Sequence, residues 1–151
     1  MGQHDAYRDL IVAAERDGVY RYVVAAVLER AGAVLLLQRP PGDFMGGIFE
    51  LPSGKVEPTE TLATALRREV KEETGLTLAA IDRYLGHFDY LSGSGRPTRQ
   101  FTFAATAETF QPITLSEHMR YAWVRPDESA QFTVSDSVRA VLAEYWRRPE
   151  L

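Results

Sequence analysis

Three glutamates lie close together on one predicted helix, and their placement favours chemistry over a solvated surface. Apolar residues recur at helical spacing from about residue 60 to residue 74, which predicts a helix there. At about 100° per residue, Glu69 and Glu73 fall on the apolar side, and Glu72 lies about 60° from Glu69. Like charges at these spacings repel, and they stand toward the negative end of the helix dipole. A positive partner is therefore expected at this face.

The expected partner is a hard divalent cation. On the helical wheel Arg68 and Lys71 point to other sides, so neither is expected to neutralise the glutamates. Carboxylate oxygens suit Mg²⁺, with Mn²⁺ as the alternative. Zinc is disfavoured because the chain has no Cys and its three His are far apart in sequence. A Mg²⁺ site with few protein ligands completes its shell with water and substrate phosphates.

The segment before this helix can approach phosphate. Pro52-Ser53-Gly54-Lys55 offers a tight turn, exposed backbone and an ammonium group. It is not a Walker loop, because Phe49 and Val56 stand where that motif needs Gly and then Ser or Thr. The segment Gly93-Ser94-Gly95 lacks the third glycine of a dinucleotide fingerprint and is interpreted as a hairpin turn.

The composition indicates one domain, over residues 1–151. The chain is 45% hydrophobic and 25% charged, which is typical of a globular protein. Its net charge of −4 favours neither nucleic acid nor an anionic membrane as a partner. No apolar run approaches the roughly 20 residues of a membrane span, and the N-terminus does not resemble a signal peptide. Because cysteine is also absent, a cytoplasmic location is expected.

Strands and helices mix without strict alternation, which predicts a mixed α/β fold. Helices are expected over residues 6–16, 60–74 and 135–147, with Gly75 ending the second. Strands are expected over residues 21–29, 33–39, 78–90, 99–108 and 121–124, with a short extended piece over 48–51. The first two strands are joined by a predicted hairpin at Arg30-Ala31-Gly32.

The segment from Gly54 to Leu76 resembles a complete Nudix box. The pattern of that box is G-x5-E-x7-R-E-U-x-E-E-x-G-U, where U is aliphatic, and every fixed position is matched. Ordinary residue frequencies give a chance match on the order of 10⁻⁸ for such a chain. The flanking order of strands and helices is also similar to a Nudix domain. The resemblance implies an α/β/α sandwich around a mixed β-sheet.

The resemblance also implies roles for the residues of the box. Glu69, Glu72 and Glu73 are implied to hold divalent metal, in agreement with the helical wheel. The residue before the first box glycine often gives a backbone carbonyl to the metal, which points to Ser53, although glycine is commoner than serine there. The residues with implied structural roles are Arg68, its partner Glu60, and the glycines Gly54 and Gly75.

The implied reaction is water attack on a phosphorus in the pyrophosphate linkage of a small nucleoside di- or triphosphate derivative. Glu69 and Glu73 are the box residues expected to be catalytic, and Glu69 is a frequent candidate for the general base. The alternative base is Glu117, since Glu117-His118 followed by Trp123 resembles a pattern of nucleotide-cleaving Nudix members. His118 itself is interpreted as structural.

Substrate choice is expected to depend on residues outside the box. Arg39 and Arg99 are candidates for gripping phosphate, and Phe49 and Tyr90 are candidates for stacking on a base. Nucleoside triphosphates, dinucleoside polyphosphates and nucleoside diphosphate sugars all stay open as substrates.

Two other functions are weighed against hydrolysis. A nucleotide-sensing regulatory Nudix module without turnover usually has eroded box acids or an attached DNA-binding domain, and this sequence has neither. A non-hydrolytic isomerase relative would require a catalytic cysteine, which the chain lacks. A homodimer, formed through the N-terminal helix and an exposed hairpin, is a further expectation from the family.

Overall fold

A seven-stranded mixed β-sheet with three α-helices forms the framework in a computed structural model, which describes residues 6–43 and 45–147. The helices are α1 (Arg8–Arg16), α2 (Leu62–Thr74) and α3 (Asp136–Arg147), and a short 3₁₀ helix spans Pro126–Gln131. The strands are β1 (Arg21–Arg30), β2 (Ala33–Gln38), β3 (Phe49–Glu50), β4 (Ser53–Lys55), β5 (Leu78–Leu91), β6 (Pro97–Ala107) and β7 (Arg120–Val124). These elements follow the predicted order along the chain.

Strand β1 is central, because it pairs with three neighbours. It runs parallel to β6 and antiparallel to β2 and β4. Val23 of β1 is opposite Lys55 of β4 and also opposite Gln100 of β6. The remaining pairs, β5 with β6 and β2 with β3 and β7, are antiparallel. This register places the segment that precedes α2 against the middle of the sheet.

Successive residues of β1 face opposite sides of the sheet, so the sheet has a core on each face. Val24, Ala26 and Leu28 pack with residues of α1 and α2. Ala25 and Val27 pack with residues of α3. The prediction of an α/β/α sandwich around a mixed sheet is confirmed by this arrangement. No helix among the described residues is long and apolar enough to cross a membrane.

Helix α2 has a defined start and a defined end. It begins at Leu62 rather than at residue 60, because the Thr61 hydroxyl caps it and accepts a hydrogen bond from the Thr64 amide at 3.1 Å. Gly75 follows its last residue in the left-handed conformation, with φ of 78°, which favours glycine. The Gly75 amide donates to the Lys71 carbonyl at 2.9 Å. Both ends of the helix that carries the glutamates are thus fixed.

Candidate active site

A cleft lies beside β1 and β4, and its two ends differ in chemistry. The larger part, of about 400 Å³, is lined by Arg21, Phe88, Leu91 and Ser135, and we call it the aromatic end. The smaller part, of about 240 Å³, is called the carboxylate end and is lined by Gly54, Glu73, Glu117 and His118. The residues that line both parts include Arg39, Glu50, Ser53, Lys55, Tyr90 and Gln100.

Glu73 lies in the last turn of α2 and is largely buried at the carboxylate end. Its Oε1 accepts a hydrogen bond from the backbone amide of Ser53 at 2.9 Å. Burial raises the pKa of Glu73 to about 8, although the Ser53 amide acts in the opposite direction. The negative charges of Glu50 and Glu69 raise this pKa further. A cation at this point would stabilise the ionised carboxylate.

The carboxyl group of Glu69 lies directly over the backbone of Gly54. A Cβ atom at position 54 would overlap that carboxyl group, so glycine is required for this close approach. Burial raises the pKa of Glu69 above its usual value, while the hydrogen bond from Arg68 acts against the increase. The β4 segment and α2 are therefore packed closely at this point, with the Glu69 carboxyl group against Gly54, which itself lines the carboxylate end of the cleft.

Arg68 contacts the glutamates, which corrects the expectation that it points to another side. Its guanidinium donates to Glu60 at 2.6 and 2.7 Å and to Glu69 at 2.9 Å. It also donates to Glu72 at 3.2 Å. The wheel describes only the direction of the Cα–Cβ bond, and a long arginine side chain can cross to the neighbouring face. The hydrogen bond from Arg68 holds the pKa of Glu60 below its usual value.

The donor chemistry of this end fits a hard divalent cation, even though no three acidic or histidine side chains among the described residues converge closely enough to hold a metal. Glu69 and Glu73 offer carboxylate oxygens in a partly buried setting. Glu72 is more than half exposed and is turned toward Arg68. The Ser53 amide donates a hydrogen bond to Glu73, so the Ser53 backbone lies beside the Glu73 carboxylate.

A second polar cluster, which the sequence did not reveal, joins Glu50, Arg39 and His118. The Glu50 carboxylate accepts from Arg39 at 3.3 Å and binds His118 Nε2 at 2.7 Å. Burial disfavours the charged form of His118, but the bond to Glu50 and the charge of Glu73 outweigh it and raise the pKa of His118. Glu50 alternates with Phe49 and Leu51, which are buried in the core on the α3 side, so the sequence indicated only that Glu50 faces away from that core.

Of the four residues predicted to bind substrate, two line the cleft and two do not. Arg39 and Tyr90 line both ends of the cleft. Phe49 instead lies in the core on the α3 side, with its ring centroid 5.0 Å from that of Phe132. This placement corrects the expectation that Phe49 stacks on a base, because the ring is buried by neighbouring side chains.

Arg99 is also placed away from the cleft. Its side chain is only 5% exposed, and its guanidinium donates to Asp89 at 2.7 Å and to Asp17 at 2.9 Å. Neighbouring residues of a strand face opposite sides, so the next residue of β6, Gln100, lines the cleft instead. The expectation that Arg99 binds phosphate is therefore wrong. Arg99 instead forms structural ion pairs that join β6 to β5 and to the end of α1. Arg21 and Gln100 were not anticipated as lining residues.

Comparisons with known proteins place this chain in one family. The family described as NUDIX domain matches residues 19–145. The chain is 34% identical over 113 residues to a CTP pyrophosphohydrolase of Escherichia coli (strain K12), covering 75% of this chain and 82% of that protein. It is 30% identical over 134 residues to nucleoside triphosphatase NudI of Escherichia fergusonii, covering 82% and 94% respectively.

Solved structures agree with these sequence relatives. A NUDIX hydrolase from Nitrosomonas europaea has a TM-score of 0.70 at 28% identity, covering 83% of this chain and 87% of that one. The solution structure of the E. coli ORF135 protein has a TM-score of 0.68 at 30% identity, covering 89% and 98%. The chain belongs to the Nudix family. It is a Nudix pyrophosphohydrolase that acts on nucleotide derivatives, and Nudix hydrolases generally need divalent metal ions.

Proposed function

We propose that this protein is a Mg²⁺-dependent pyrophosphohydrolase of nucleoside triphosphates, in which water attacks a phosphorus of the pyrophosphate linkage. The observation that carries the proposal is the largely buried carboxylate of Glu73 at one end of a cleft whose other end is aromatic, with the carboxyl group of Glu69 packed against the neighbouring Gly54. The relatives named a CTP pyrophosphohydrolase and a nucleoside triphosphatase, which align over most of this chain, support a triphosphate over the other nucleotide classes.

The metal is assigned to the carboxylate end. Glu69, Glu72 and Glu73, with the Ser53 carbonyl, are the groups of this chain that would hold it, and Mn²⁺ is the alternative ion. When bound, the cation would neutralise negative charge on the phosphates and orient the phosphate oxygens for attack by water. The hydrogen bond from Arg68 ties α2 to Glu60 in the preceding loop. This contact helps to hold Glu69 over Gly54.

The protein groups around the cleft supply binding and proton transfer. Arg39 and Lys55 line both ends of the cleft and offer positive charge to the phosphate chain. Glu117 lines the carboxylate end and is exposed, so its carboxylate can reach a water molecule. We assign Glu117 as the acceptor of the proton from the attacking water, and Glu69 is the alternative base.

The aromatic end is assigned to the nucleobase. The rings of Phe88 and Tyr90 are neighbours, with centroids 6.0 Å apart, and a base can stack against such a surface. Arg21 also lines this end, and its Nε is buried without a hydrogen-bond partner among the described residues. A ligand acceptor such as a carbonyl oxygen would satisfy that donor. This separation of base and phosphates matches the two ends of the cleft.

Four expectations about cellular context stay predictions. They are a single domain over residues 1–151, work in the cytoplasm on free nucleotides, no nucleic-acid partner, and a homodimer. Size-exclusion chromatography with light scattering tests the last of these directly.

The proposal is tested by product analysis on a substrate panel. Purified protein is incubated with CTP, other nucleoside triphosphates, a dinucleoside polyphosphate and ADP-ribose, with Mg²⁺, with Mn²⁺ or with a chelator. We expect a nucleoside monophosphate and pyrophosphate from a triphosphate, with no release in chelator. Binding of nucleotides without cleavage of any of them would contradict the proposal and favour the sensing module.

A further inference from the structure

The loop over residues 108–119 carries Glu117 to the cleft and is held at a few defined points. The Thr114 amide donates to the Thr74 carbonyl at 2.9 Å, which ties the loop to the end of α2. The Met119 amide donates to the Gln38 carbonyl at 2.8 Å, which ties it to β2. Glu117 lies between these two attachments.

The carboxylate of Glu117 has no fixed contact of its own. It is exposed, and in the described part of the chain no hydrogen bond or ion pair holds it. Its position therefore depends on the backbone of the loop and on the side chains next to it. The adjacent residue, His118, is the one with a buried anchor.

His118 joins this loop to the floor of the cleft. Its side chain is only 6% exposed, and its Nε2 lies 2.7 Å from Glu50 Oε2. Glu50 belongs to β3, which pairs with β2, so the imidazole is fastened to the sheet rather than to another loop. Removing the imidazole removes this bond between the loop and the sheet and allows the loop to shift.

We propose that His118 is a positioning residue, which holds the neighbouring Glu117 over the carboxylate end of the cleft through its bond to Glu50. This inference rests on the proposed function of Glu117 as proton acceptor. It replaces the interpretation of His118 as a purely structural histidine. A displacement of about 1 Å in a reacting group can lower the rate about 100-fold. A contact that fixes the position of Glu117 can therefore have a measurable effect on turnover.

The expected effect of losing the anchor is on turnover rather than on substrate binding. We expect His118→Ala to lower kcat about 10- to 100-fold while KM changes less than about 3-fold, since Arg39 keeps its own hydrogen bond to Glu50 and the base contacts are made at the other end of the cleft. We expect His118→Gln, which keeps a side-chain N–H donor, to recover part of that loss. The matched control is Thr109→Val, which removes a hydrogen bond from Thr109 to the Gln111 carbonyl within the same loop. That variant is expected to leave kcat unchanged.

The decisive experiment is a double-mutant cycle measured on the nucleoside triphosphate that the wild-type enzyme cleaves best. It compares wild type, His118→Ala, Glu117→Gln and the double variant, with thermal melting of each to verify folding. If His118 acts through Glu117, the double variant has the same kcat as Glu117→Gln alone. If His118→Ala does not fold, the same cycle is run with His118→Gln.

Each other outcome overturns the inference in a recognisable way. Losses that multiply in the double variant would show that His118 acts independently of Glu117, while the role of Glu117 would stand. A Glu117→Gln enzyme with wild-type kcat would remove Glu117 as the base and the positioning role with it. In both cases the wild-type enzyme still hydrolyses its substrate, whereas failure of the proposed function would show as no metal-dependent hydrolysis by wild type at all.

Discussion

Two arginines each bind more than one carboxylate, and two of the carboxylates beside the proposed metal site are less exposed than those in the scaffold. Arg68 bonds to Glu60, Glu69 and Glu72, while Arg99 bonds to Asp89 and Asp17. The aspartates around Arg99 are about half exposed, so water solvates their excess charge. Beside Arg68, in contrast, Glu69 is largely buried. Glu73 is buried further along the same helix. The proposed cation site and the ion pair of Arg99 thus differ in how far their carboxylates are buried.

The largest effect is expected at the buried carboxylate. Glu73→Gln removes an anionic metal ligand, so kcat for nucleotide hydrolysis is expected to fall by about 10²- to 10⁴-fold. The melting temperature should be retained, because a neutral amide is no harder to bury than a carboxylate. Steady-state kinetics and a thermal melt on the same preparation measure both. Wild-type turnover in this variant would remove Glu73 from the catalytic centre.

The next effect is expected where backbone and carboxylate touch. Gly54→Ala places a methyl group where the Glu69 carboxyl group lies, so that side chain must move. We expect kcat to fall about 10- to 100-fold with a small loss of stability, because a flexible side chain can give way. The control is Gly42→Ala, where a Cβ meets nothing within 4 Å. Equal activity of the two variants would argue against a catalytic role for the position of Glu69.

The opposite behaviour is expected at the structural ion pair. Arg99→Met removes a nearly buried guanidinium that joins β6 to Asp89 and Asp17, so the free energy of unfolding should fall by about 1 to 3 kcal/mol. The aspartates remain hydrated, which keeps the loss below that of a fully buried pair. Urea denaturation measures the loss, and kcat is expected to stay within 2-fold. A stable but inactive Arg99→Met enzyme would return Arg99 to the substrate site.

The smallest effect is a pH dependence of stability at the same pair. The Arg99 guanidinium holds the pKa of Asp89 below its usual value. A lowered folded-state pKa gives stability above the unfolded-state pKa, and this stability is lost as pH falls through the folded value. The difference in urea midpoint between wild type and Asp89→Asn should therefore shrink as pH is lowered through the acidic range. A constant difference across that range would mean that the charge of Asp89 does not contribute.

The box helix was predictable from the sequence, because its signals are local. The apolar spacing, the position of Gly75 and the side on which Glu69 and Glu73 lie all follow from residues within a few turns of each other. The order of strands and the three-layer architecture were likewise anticipated. The helix start differed only because Thr61 is the better cap.

The missed features depend on contacts between distant segments. Whether Arg99 or Gln100 faces the cleft is decided by how β6 pairs with β1 and β5, and alternation along one strand leaves both choices open. The bond between Glu50 and His118 joins residues 68 positions apart, which no local pattern encodes. Arg68 was misjudged because a helical wheel describes where a side chain starts and not where a long one ends.

Divalent-ion binding tests most directly whether the carboxylate end is the metal centre of this Nudix enzyme. Electron paramagnetic resonance follows the loss of free Mn²⁺ signal on titration with wild type, Glu73→Gln and Arg99→Met. We predict saturable binding by wild type and by Arg99→Met, and an affinity at least about 10-fold weaker for Glu73→Gln. Unchanged Mn²⁺ affinity in Glu73→Gln would contradict the assignment of the metal to this end of the cleft.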